Sequence, residues 1–126
     1  MENKRSEVGR MGEDAACGYL MDMGHTVLKR NWRAGHLEID IITSAPDGMH
    51  FVEVKSRVAP FSSSPEENAG KRKMDRIGWA AKRFLALYPP QGDVEVWLDV
   101  VAVVFEGGRT DIKYYKGAYT PFCYGR

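Results

Sequence analysis

Long apolar runs are missing from this sequence. Although 44% of its 126 residues are hydrophobic, none of its apolar stretches approaches the roughly 20 residues of a helical membrane span. The start, Met1-Glu2-Asn3-Lys4-Arg5, is polar and no apolar stretch follows it. No secretory signal is visible, and a cytoplasmic protein with no membrane partner is expected. Cysteine is scarce. Cys17 and Cys123 lack metal-ligand spacing, so free thiols are the plain reading and a disulfide is not needed. Charge of one sign is lacking overall, with a net value of +1. A protein that holds polyanions by bulk charge alone is thereby disfavoured. Internal repeats and long low-complexity stretches are absent too, which argues against a solenoid or a disordered tail.

What is present fits one domain spanning residues 1–126, a length that buries about two-thirds of the unfolded surface. Residues 7–23 carry a helical stripe of Val8, Met11, Ala15 and Tyr19, flanked by Gly12, Ala16, Leu20 and Met23, and Gly24 stops it. On that wheel Glu13 sits at the edge of the stripe and Asp14 points to solvent. Strand patterns follow at 26–32, 37–42 and 51–55, then a loop at 58–63. The run Ser64-Pro65-Glu66-Glu67 reads as a helix start, although Gly70 moves that start toward Lys71. The second helix carries Met74, Ile77, Ala81, Phe84 and Tyr88 as its core stripe and ends at Pro89-Pro90. Residues 94–105 become apolar on both faces and read as a central strand. Residues 111–115 read as an edge strand. The aromatic tail at 119–124 is expected to cover apolar surface. The order is α-β-β-β-α-β-β, an α/β class.

Two strands spend core-like positions on charge. In Phe51-Val52-Glu53-Val54-Lys55, Glu53 and Lys55 share one face. In Leu37-Glu38-Ile39-Asp40-Ile41-Ile42, carboxylates alternate with apolar residues. Charges on a buried sheet cost several kcal/mol unless they pair or bind a metal. A hairpin closing about Pro46–Asp47 places Asp40 opposite Glu53 and Glu38 opposite Lys55. Opposed residues share a face with Cβ atoms about 4.5–5.5 Å apart, whereas a slip by one residue would separate the carboxylates. Oxygen ligands so placed suit a hard divalent cation. A Lys–Glu ladder at a wet sheet edge is the competing reading. Asp99, inside the central strand, is either a further acid near the site or a buried carboxylate satisfied by a backbone amide or an arginine, and the second is favoured.

Basic residues are concentrated. Lys71 to Arg83 holds six cations and one acid, a local +5, leaving −4 elsewhere. Lys73 lies at the margin of the core stripe. The opposite face places Trp79 among Arg72, Arg76 and Arg83. A tryptophan so framed stacks on bases or anchors a subunit interface. Aromatic and arginine residues anchor interfaces as often as they stack on bases, which tilts the balance to the interface; a plain surface tryptophan is the third reading.

Taken together, Gly12-Glu13-Asp14-Ala15-Ala16, Leu28 to Arg33, Glu38-Ile39-Asp40-Ile41-Ile42, Phe51 to Arg57, Ser64-Pro65, Lys73 to Ile77 and Asp99-Val100-Val101 resemble the restriction-endonuclease-like PD-(D/E)xK nucleases. Among these the chain is similar to archaeal Holliday-junction resolvases, and most closely to the YraN-like family of small bacterial predicted endonucleases. The family usually has glycine where Leu37 stands, and leucine there would crowd the strand start. The resemblance implies a restriction-endonuclease-like mixed sheet flanked by helices. It implies Glu13, Asp40, Glu53 and Lys55 as catalytic residues, with Mg²⁺ or Mn²⁺ held by Asp40, Glu53 and the Val54 carbonyl. Lys73 and Arg76 would hold phosphate. Arg30 and Arg33 either contact nucleic acid or balance nearby acids. The implied substrate is DNA, branched or otherwise structured, with a homodimer or a protein partner supplying affinity and specificity. A nucleic-acid-binding or scaffold protein of the same fold with little intrinsic cleavage is the alternative.

Overall fold

A computed structural model describes residues 6–60 and 71–118, with side chains in the second stretch from Arg76 onward. The elements are α1 (Glu7–Asp22), β1 (Thr26–Ala34), β2 (Leu37–Ala45), β3 (Gly48–Val58), α2 (Lys71–Leu87), β4 (Val96–Glu106) and β5 (Arg109–Tyr115). The expected order and the α/β class are observed. The expected helix start at Ser64–Glu67, the tail at 119–124, Cys123 and the Lys73 side chain lie outside the described residues.

The five strands form one sheet in chain order. β3 and β4 are parallel and the other neighbours antiparallel, which makes the sheet mixed. A parallel pair needs a crossover, and α2 lies in the segment that joins them. β4 is buried along most of its length because it is central, whereas β5 is largely exposed at an edge. The expected loop at 58–63 begins later than its composition suggests. Parallel pairing with β4 holds β3 in the sheet to Val58↔Phe105.

Helices cover both faces. Phe51, Ile42 and Leu98 pack with Ile77, Ala81, Phe84 and Leu85 of α2. Val52, Ile41 and Val101 pack on the other face with Ala16, Cys17 and Leu20 of α1. Ser6 caps α1, its Oγ accepting from the Gly9 amide at 2.9 Å. At the other end the Gly24 amide donates to the Met21 carbonyl and the His25 amide to the Leu20 carbonyl. This pattern closes a helix through a left-handed residue, and Gly24 has φ +100°.

The buried face of α1 differs from its apolar stripe. Gly12, Glu13, Ala16, Cys17 and Leu20 are buried, while Met11 is exposed. Size decides this rather than hydropathy. A Cβ on Gly12 would stand 2.7 Å from Ser56 Cβ, so only glycine lets the helix lie this close to β3. Glu13 therefore sits at the centre of the packed face, not at its edge. On α2, Leu85 and Ala80 join the core, and Tyr88, just past the helix end, is exposed.

Candidate functional site: an acidic cleft at a strand fork

Pairing between β2 and β3 runs from Ala45↔Gly48 to Ile41↔Val52. Beyond it the strands keep only their outer neighbours, β2 with β1 to Leu37↔Ala34 and β3 with β4 to Val58↔Phe105. The register is the one that sets Asp40 opposite Glu53, one step past the last pair. There a side chain replaces the ladder: the Val54 amide donates to Asp40 Oδ2 at 2.8 Å. This satisfies a backbone donor that the fork would leave bare.

Asp40 and Glu53 line one cleft of about 300 Å³ with His36, Leu37, Glu38, Arg76 and Ile77. Lys55, nearly buried, has its Nζ 3.3 Å from Glu53 Oε2. Burial pushes the Asp40 carboxyl up to about 6 against the Val54 amide, and the nearby charges of Glu53, Glu13 and Glu38 push the same way. Three acids around a fourth is an arrangement a cation would relieve.

Glu13 does not line the cleft; it lies buried at 1% exposure on α1, where its charge is felt by Asp40. Its Oε1 accepts from Arg30 at 2.8 Å and from Asn31 Nδ2 at 3.0 Å. Asn31 stands opposite Asp40 in the β1–β2 register, between Arg30↔Ile41 and Trp32↔Ile39. It has φ +54°, a conformation that asparagine tolerates better than most residues.

Arg30 also bonds Asp14 at 2.7 Å, so its guanidinium balances acids of α1. Arg33 lies 3.7 Å from Glu38 and is mostly exposed. Arg76 is exposed at the cleft wall. Leu37, which the family pattern would make glycine, packs partly buried against the α2 core and lines the cleft. Among the described residues no group of three or more His, Cys, Asp and Glu side chains is disposed as a metal cage. The donor set that lines the cleft includes the carboxylates of Asp40 and Glu53. It fits a cation such as Mg²⁺, which keeps several of its waters and uses one or two carboxylates. The Val54 amide engages Asp40 Oδ2 and leaves Oδ1 for a further ligand.

Sequence reasoning missed a second polar cluster toward the turn end of the sheet. His50, fully buried, meets Asp99 Oδ2 through Nδ1 at 2.6 Å and Asp47 Oδ1 through Nε2 at 2.7 Å. Asp99 also accepts from Tyr114 Oη at 2.7 Å and from the Gly117 amide at 2.8 Å. The backbone partner expected for Asp99 is present, and histidine and tyrosine stand where an arginine was the alternative. Asp47 further pairs with Lys116 at 3.0 Å. His36 and Asn31 were also missed as site residues. An asparagine inside an otherwise regular strand was the available signal for the second.

The fold and cleft define a class, a small mixed α/β protein with an acidic pocket where two strands part. The sequence model of the family described as "Uncharacterised protein family UPF0102" matches residues 12–103, a span from Gly12 through the core of β4 that contains every acid of the cleft. The chain belongs to this family. It is 36% identical over 118 residues to a UPF0102 protein of Bacteroides thetaiotaomicron, covering 94% of this chain and 96% of the relative. A UPF0102 protein of Desulforamulus reducens is 35% identical over 121 residues, covering 94% and 99%. The family resemblance read from the motifs is thus borne out at the level of the family.

Proposed function

We propose that the chain is a metal-dependent endonuclease of the PD-(D/E)xK kind acting on DNA, with branched or otherwise structured DNA as substrate. The carrying observation is that Asp40 and Glu53 line one cleft while Lys55 stands 3.3 Å from Glu53. Phosphodiester hydrolysis needs an activated water, a sink for charge developing on phosphorus-bound oxygens, and a held phosphate. Asp40, Glu53 and the Val54 carbonyl would hold Mg²⁺ or Mn²⁺, which supplies Lewis acidity and lowers the pKa of bound water. Lys55 orients the attacking water or meets charge developing on the phosphate. Arg76 at the cleft wall, with Lys73 one turn before it in the sequence, binds phosphate. Glu13, fixed by Arg30 and Asn31, supplies a further acid behind Asp40.

The test is purified protein on linear, flapped and four-way DNA, with and without Mn²⁺, beside Asp40→Asn. Cleavage that needs both Mn²⁺ and Asp40 is the expected result. Mn²⁺ binding measured by calorimetry should be lost in Asp40→Asn, whose fold is retained because the amide matches the carboxyl in shape. DNA binding without cleavage selects a nucleic-acid-binding protein of this fold. Equal Mn²⁺ binding by both proteins refutes the metal site.

A further inference from the structure

The acidic cleft does not end at Arg76. A second depression of about 380 Å³ is lined by Leu37, Trp79, Lys82 and Arg83. Leu37 lines both hollows, so the two lie side by side with this one side chain as their shared wall. Trp79 is 62% exposed, an unusual state for a tryptophan on a helix whose other face is fully packed. Lys82 Nζ lies 5.1 Å from the centre of the Trp79 ring. The depression thus offers an exposed indole with Lys82 over one ring face, a second cation in Arg83 and the apolar side chain of Leu37, with no acid among the described lining residues.

We infer that this depression receives an unpaired stretch of the DNA strand that leaves the cleft, with a base stacked on Trp79 and its phosphates held by Lys82 and Arg83. The inference rests on the nuclease reading of the neighbouring cleft and adds the strand form that it takes. An exposed ring in a depression lined by two cations suits a base and its neighbouring phosphates. A second copy of the chain fits less well. A two-fold contact sets a patch against itself, and here it would bring Arg76, Lys82 and Arg83 toward their own counterparts. Like charges facing across an interface cost several kcal/mol. The interface favoured for Trp79 on sequence grounds is the rival reading that the test separates.

The test measures binding of a fluorescent oligothymidylate strand and of a matching duplex to the full chain. EDTA is present, so no cleavage enters the readout. Trp79→Ala should weaken single-strand binding about 5- to 150-fold per stacked base and leave duplex binding little changed. Trp79→Leu should fail as Trp79→Ala does, because it keeps apolar bulk without the ring, and it carries the same reading if the alanine variant does not fold. Lys82→Gln and Arg83→Gln should each lower the salt slope of log K by about 1. Unchanged single-strand affinity in a folded Trp79 variant overturns the inference. So does a wild-type dimer that Trp79→Ala converts to monomer in sedimentation. Trp79-dependent strand binding together with no Mn²⁺-dependent cleavage would refute the nuclease reading and leave the stacking site standing. Asp40-dependent cleavage with strand binding indifferent to Trp79 would do the reverse.

Discussion

Replacing Gly12 by alanine sets two effects of opposite sign against each other. Inside a helix, alanine is favoured over glycine by about 1 kcal/mol, so propensity alone predicts a more stable protein. Packing predicts the contrary. The new methyl would stand 2.7 Å from Ser56 Cβ and would also overlap Ser56 Oγ. The hydroxyl can rotate away, but Cβ is fixed to the backbone of β3, which is paired there with Val103 of β4. The helix has to move instead, and overpacking of this kind costs about 3 kcal/mol at the upper end. The net expectation is a loss of about 2 kcal/mol. At about 2.1 cal/mol/K of unfolding entropy per residue, this lowers the melting temperature of the chain by about 7–8 °C. Ser56→Gly removes both opposing atoms, and Ser56 Oγ is buried with no hydrogen-bond partner among the described residues. The double variant should therefore recover at least about 1 kcal/mol relative to additivity. Thermal and urea unfolding of the four proteins give the cycle. A Gly12→Ala protein as stable as the wild type, or a cycle that closes without coupling, would refute the close approach of α1 to β3 and with it the burial of Glu13 over the fork.

Arg30→Ala should cost about 1–3 kcal/mol in chemical denaturation, because it strips a charged donor from the buried Glu13 carboxylate. Arg33→Ala, at an exposed and longer contact, should stay within about 0.5 kcal/mol; equal losses would place Glu13 outside the packed face. His50 should titrate above the ordinary 6.5 of histidine: burial lowers its pKa, but hydrogen bonds to Asp99 and Asp47 outweigh that. His25, whose ring is 4.5 Å away, should titrate below 6.5 through burial and the charge of His50, and NMR titration showing the reverse order would refute the assignment. The stability that His50 contributes is complete below pH 6.5 and is lost as pH rises through its folded value. His50→Gln should abolish that alkaline loss in a pH series of melts. The same series tests Asp47, which burial raises but His50 and Lys116 draw down to about 2; its contribution is present above pH 3.8 and lost as pH falls toward 2.

The sequence by itself determined the element order and, given a turn at Pro46–Asp47, the register that sets Asp40 opposite Glu53. Each is a local matter: period-two alternation marks the strands, and a tight turn at Pro46–Asp47 fixes which residues face each other. It also marked Asp99 as a buried acid needing partners. Only the tertiary structure decided which face of α1 is buried, since that depends on Gly12 meeting Ser56 across a distance no helical wheel contains. The fork beyond Ile41↔Val52, the turn of Asn31 toward Glu13, and the meeting of the cleft and the Trp79 depression at Leu37 are likewise products of packing. His50 escaped notice for the same reason. Its partners Asp99 and Tyr114 lie 49 and 64 residues away along the chain, and they reach it only because β3, β4 and β5 are neighbours in the sheet. Pattern within a segment is set by short-range geometry, whereas a polar cluster drawn from three strands exists only after the sheet has formed.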